Sequence, residues 1–103
     1  MSSPQDVLVE VLRSHSSRVL TERQRDYLLI LFSVDNRDVV LCFKKGYYSN
    51  VYYAKLGLAE SLMSLDCSEL EYSPLGLYAF SNSPSQLAEI AIKKARILVA
   101  RSI

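Results

Sequence analysis

The sequence predicts an α+β fold: a single compact domain over residues 1–103, of order αββαββα, with an antiparallel sheet covered by helices. Three observations carry this. Two short apolar runs, Tyr27 to Val34 and Val39 to Phe43, flank the polar corner Asp35-Asn36-Arg37-Asp38, the pattern of a β-hairpin. Two Ser-Pro pairs, Ser3-Pro4 and Ser83-Pro84, each open a segment whose apolar residues recur at helical spacing. Neither run of the hairpin alternates apolar with polar, so both of its faces need cover that other segments must supply.

At the N-terminus, Ser3 is placed to cap a helix, Pro4 to begin it, and Asp6 to sit at the positive end of its dipole. Val7, Leu8, Val11 and Leu12 then gather on one side, away from Asp6, Glu10 and Arg13. The serines around His15 argue for an end there, since serine favours caps and turns. Residues 21–26 are highly charged and read as a solvated connector or the frayed last turn of the helix. In the hairpin that follows, Asp35 and Asn36 tolerate the left-handed backbone that a tight turn needs.

Beyond Lys44-Lys45-Gly46, residues 51–65 read as a second helix with a wide apolar arc, in which Gly57 is a tolerated penalty. Residues 69–72 and 77–80 read as a second hairpin around Ser73-Pro74-Leu75-Gly76, whose proline suits the second turn position. The last helix starts at Pro84 and carries a core stripe of Ala88, Ala91, Ile92, Ala95, Leu98 and Val99.

Composition narrows the class. Half of the residues are hydrophobic and the formal charge is +1, as in ordinary soluble globular proteins. A near-neutral chain has little bulk attraction for nucleic acid or an anionic membrane, and little self-repulsion to oppose association. No run reaches the roughly 20 apolar residues of a membrane helix, and the first residues lack the basic start and apolar stretch of a signal peptide. The expectation is a cytoplasmic protein without a membrane partner. Its two cysteines, Cys42 and Cys67, are too few for a secreted framework and are expected to remain unbridged, with Cys42 packing as a small hydrophobe.

Catalytic groups are scarce. His15 is the one histidine, with no glycine-flanked serine elbow elsewhere, and no catalytic residue is assigned. One histidine and two scattered cysteines do not make a zinc site, and the Asp and Glu pairs lack calcium-loop spacing, so no metal is expected. Three isolated glycines exclude a phosphate-cradling loop, and no cofactor is expected.

Two features point to binding. Lys44, Lys45, Tyr47, Tyr48, Tyr52 and Tyr53 interleave rings and cations; tyrosine buries much area at low entropic cost and suits a protein partner. The same pattern suits unpaired bases, a reading ranked low because the net charge is near zero. On the last helix, Ile90 and Ile97 lie off the core stripe, seven residues apart, where a second subunit would cover them. The expected function is a non-catalytic interaction or regulatory module that pairs with itself or with another protein. The leading alternative is a small-molecule binder or enzyme whose pocket is lined by Tyr47, Tyr48, Tyr52 and His15.

Overall fold

The computed structural model describes residues 3–45 and 51–101, with Lys45 described by its backbone alone. The elements are α1 (Pro4–His15), β1 (Val19–Gln24), β2 (Tyr27–Val34), β3 (Arg37–Lys45), β4 (Tyr52–Leu58), a 3-10 turn (Ala59–Ser61), α2 (Cys67–Glu71), β5 (Leu77–Ser81) and α3 (Pro84–Arg101). The strands form one antiparallel sheet in chain order, β1-β2-β3-β4-β5. The architecture is mixed α+β in one compact domain, as the sequence predicts; the sheet has five strands rather than four, and the order is αββββαβα rather than αββαββα.

Local chemistry sets the boundaries. Ser3 Oγ accepts from the Asp6 N–H at 3.2 Å while the Asp6 carboxylate accepts from the Ser3 N–H at 3.4 Å, a reciprocal cap that starts α1. Ser83 Oγ accepts from the Gln86 N–H at 3.4 Å and starts α3 in the same way. Between β2 and β3 the turn is two residues long, with Val34 paired to Arg37. Asp35 and Asn36 both have positive φ, 51° and 65°. That combination matches the right-handed twist of a hairpin, and Asp and Asn are among the few side chains that adopt it cheaply.

Alternation along the strands divides the core in two. Leu28, Ile30, Phe32, Val39, Leu41, Phe43, Ala54, Leu56 and Ala79 point to one face, where Leu8 and Leu12 of α1 and the apolar stripe of α3 cover them. Leu29, Leu31, Val40 and Cys42 point to the other face and pack with Cys67 and Leu70 of α2. Both faces of the β2–β3 hairpin are therefore covered, as its unbroken apolar runs require, and those four residues are buried.

Four expectations are corrected. Residues 51–65 are not a helix: β4 occupies 52–58 and a 3-10 turn follows. The apolar arc was coincidental, because alternation also sends Ala54 and Leu56 to the helix side and Lys55 and Gly57 to the other. Residues 21–26 are not simply a connector, since β1 runs through Gln24 and pairs with β2. Its charges mark an edge strand, where they discourage pairing with other chains. The second hairpin does not form, because residues 67–71 are helical and only 77–81 make a strand. Asp66 caps α2 by accepting from the Ser68 N–H at 2.8 Å, and Cys67 and Leu70, three residues apart, share its buried side. Lastly, Cys42 and Cys67 are joined in a disulfide, with Cα atoms 5.7 Å apart. Separated by 25 positions in sequence, they meet because Cys42 faces the side of the sheet on which α2 lies.

The chain crosses closely at Gly76. A Cβ there would meet the Leu56 carbonyl oxygen at 2.8 Å and Lys55 Cε at 2.6 Å. Gly76→Ala is expected to cost about 1–3 kcal/mol, the range for forcing extra volume into a packed site. A lower urea midpoint at unchanged slope is the readout; an unshifted midpoint would mean that the approach to β4 is looser than described.

Candidate functional site

The strand registers lay the outer face of the sheet, the one away from α1 and α3, out in rows. One row crosses all five strands: Gln24, Tyr27, Lys44, Tyr53 and Phe80. The next holds Glu22, Leu29, Cys42, Lys55 and Tyr78. The short α2 sits over Leu29, Leu31, Val40 and Cys42, so apolar ring surface remains open toward β4 and β5.

The rings touch one another. Tyr53 and Phe80 have centroids 5.9 Å apart at 34°, and Tyr78 and Phe80 are 5.9 Å apart at 17°. Such offset contacts favour a common ring surface over independent side chains. Lys44 Nζ stands 5.2 Å from the Tyr27 ring centroid, within cation–π range. The Tyr27 hydroxyl donates to Glu71 Oε2 at 3.0 Å. Burial, with Tyr53 and Glu71 beside it, pushes the Tyr27 phenol well above its ordinary pKa. Tyr27 is thus a neutral donor at physiological pH and unsuited to act as a nucleophile.

Lys55 is only 4% exposed. Its Nζ donates to the Glu71 carbonyl at 3.1 Å and the Ser73 carbonyl at 2.8 Å, and lies 4.4 Å from the Tyr78 ring centroid. It satisfies the C-terminal carbonyls of α2, the position at which a cation complements a helix end. Lys55 therefore braces the segment after α2 and offers no free charge to a ligand. At the other end of this segment the Glu69 carboxylate accepts from the Met63 and Ser64 N–H groups at 2.8 and 3.1 Å. Those two backbone bonds hold Glu69 below the usual carboxylate range.

Of the residues singled out from sequence, Lys44 and Tyr53 lie in the aromatic row. Tyr52 points the opposite way, stacks on Phe43 at 5.9 Å and packs against the helix-side core. Tyr47, Tyr48 and the Lys45 side chain lie outside the described residues. Ile90 is partly buried against the core, whereas Ile97 is 46% exposed. His15 borders a cleft of about 380 Å³ with Ser33, Asp35 and Arg96, beside the β2–β3 turn. Tyr52 pairs with Lys45 at the far end of β3, so His15 and Tyr52 do not share a pocket. Tyr27 and Phe80 of this row, and Tyr78 of the next, are not singled out by the sequence. Their signal was period-two alternation, which aligns them only once 52–58 is read as a strand.

No family model, curated protein or solved structure matches the chain. The chemistry of the face must therefore speak for itself. A shallow cleft of about 620 Å³ at one end of the row is lined by Arg25, Asp26, Lys44 and Asp66 among others, charges of both signs with no focus. Among the described residues no three His, Cys, Asp or Glu side chains converge as a metal site, and no helix is long and apolar enough to cross a membrane.

The row ends on an edge. β5 has β4 on one side and is the last strand of the sheet. Its sequence, Leu77-Tyr78-Ala79-Phe80-Ser81, contains no charge and no proline, the devices that usually blunt an edge. Phe80 is 58% exposed and Tyr78 38%.

Proposed function

We propose that this protein is a non-catalytic, homodimeric interaction module that associates through the β5 edge and the rings beside it. One observation supports the reading above others: an uncharged edge strand carries two stacked, exposed aromatic side chains. Exposed contiguous apolar surface of this kind marks interaction sites more often than chance. A second copy added antiparallel about Ala79 would set Tyr78 opposite the partner's Phe80, and Phe80 opposite the partner's Tyr78. Aromatic cross-strand pairs are among the most favourable in sheets.

The α3 flank extends the surface. Leu98 and Arg101 border a shallow groove with Pro74, Leu75 and Leu77. Helical spacing then places Ile90, Lys94 and Ile97 along the same side as Arg101, next to β5. Ile97 would be covered in the dimer, while the long stem of Lys94 lets its charge reach water near the two-fold axis. The cytoplasm is the compartment proposed with this function. The buried disulfide weighs toward a more oxidising one, and the thiol state of freshly extracted, alkylated protein decides between them.

Sedimentation at micromolar concentration tests the module. The wild type is expected to run as a dimer, and Phe80→Lys or Ile97→Glu as a monomer with unchanged circular dichroism. A monomeric wild type defeats the proposal. Tight, salt-dependent binding of single-stranded RNA that Tyr53→Ala abolishes would replace it with the nucleic-acid reading.

A further inference from the structure

We infer that the Cys42–Cys67 disulfide is a redox latch: reduction by a dithiol frees the 62–76 segment from the outer face of the sheet and leaves the domain folded. The inference is independent of self-association and rests on how unequal the two sides of the sheet are.

On the helix side, α1 and α3 supply a broad core that needs nothing from the outer face. On the outer face the buried cluster has Leu29, Leu31, Val40 and Cys42 from the sheet, and only Cys67 and Leu70 from the cover. α2 is five residues long. A helix so short has no stability of its own, because nucleation costs more than one turn returns. Besides the disulfide it is attached by the buried Leu70 side chain, with Leu62 packed at the margin, and by polar contacts. Gln24 donates to the Leu65 carbonyl and accepts from the Cys67 N–H, both at 2.9 Å. Tyr27 donates to Glu71, and Lys55 holds the carbonyls of Glu71 and Ser73. Water can replace each of these when the segment lifts, so each is worth little net. Leu70 alone is a small apolar anchor, and the disulfide is the one covalent cross-link that holds the segment down.

Both sulfurs are buried, so a reductant reaches them when the segment fluctuates outward. The thiolate of a dithiol then attacks one sulfur, the Cys42–Cys67 bond breaks and a mixed disulfide forms. The second thiol of the reductant displaces the remaining cysteine. Two electrons and two protons pass to the protein, giving two cysteine thiols, and the reductant leaves as its own disulfide. With the tether gone, Leu29, Leu31 and Val40 become accessible whenever the segment opens. Oxidised protein keeps them covered.

Amide hydrogen exchange resolves this, using dithiothreitol as the dithiol. The Cys67 and Leu70 amides report on the segment, and the Val40 and Leu41 amides on the sheet. Reduction is expected to lower protection at 67 and 70 relative to 40 and 41 by about tenfold or more, the mark of a local opening. The double variant Cys42→Ala, Cys67→Ala should show the same lowered ratio as the reduced wild type. A ratio that stays constant on reduction overturns the inference, whether protection is retained everywhere or lost everywhere. Alkylation that caps both cysteines in unreduced, folded protein overturns it as well.

Discussion

Phe32→Ala is expected to lower the free energy of unfolding by about 3–5 kcal/mol, the range for truncating a buried aromatic ring. Phe32 is 1% exposed and among the largest fully buried side chains. Its β2 position pairs with Val19 on one side and Val39 on the other, and α1 and α3 close over it in the helix-side core. Strands fixed on both sides cannot collapse into the vacated space, so the cavity adds to the lost transfer energy. The effect is a large share of the roughly 5–15 kcal/mol that holds a typical domain together. Leu20→Ala, one residue past the Val19 that pairs with Phe32, is the control: Leu20 is 52% exposed and its truncation should stay within about 0.5 kcal/mol. Urea unfolding of both variants provides the measurement. A Phe32→Ala loss below about 1 kcal/mol would place the core elsewhere.

That core was legible because its cues are local. A two-residue corner of Asp35 and Asn36, two unbroken apolar runs and two Ser-Pro starts each act within a few residues, and each appears where the sequence puts it. The misreadings arose where a local pattern fits two periods. From Val51 onward the apolar residues satisfy a helical stripe, yet Lys55 and Gly57 reveal alternation once their neighbours are known. Lys55 needs the carbonyls of Glu71 and Ser73, and Gly57 needs the absence of a Cβ, which would meet Leu70 Cδ1 at 2.7 Å. Both requirements come from α2 and the residues just after it, 13 or more positions away. β1 was missed for a related reason: its charges suit a connector and an edge strand equally, and only the free edge of β2 decides.

The outer face was less legible still. Tyr27, Lys44, Tyr53 and Phe80 come from four strands, and nothing short of the registers aligns them. Of the pair Tyr52 and Tyr53, alternation packs one, partly buried, against Phe43 and sends the other to the outer row, a split that the doublet alone does not reveal. The disulfide is hidden for the same cause, since neither cysteine carries a local sign of its partner.

Removing that disulfide is the second large effect expected. Reduction of the wild type should cost about 3 kcal/mol of global stability, because the tether closes a separation of 25 residues and restricts the unfolded chain accordingly. The chain between the two cysteines contains the whole of β4 and the 3-10 turn, so the unfolded protein regains freedom over a quarter of its length. The native state contributes differently. While the segment is closed, two thiols at the same positions pack as small hydrophobes against Leu29, Leu31, Val40 and Leu70, so the closed form itself loses little packing. Cys42→Ala with Cys67→Ala removes the sulfurs too and should be less stable than the reduced wild type by about 1 kcal/mol, the further loss expected for a small buried group. The urea midpoint should fall in both cases, and the slope should rise slightly as the unfolded chain expands. A reduced wild type within about 1 kcal/mol of the oxidised form would mean that the denatured chain keeps β3 and α2 together without the bond, and that the tether matters only for opening at the outer face.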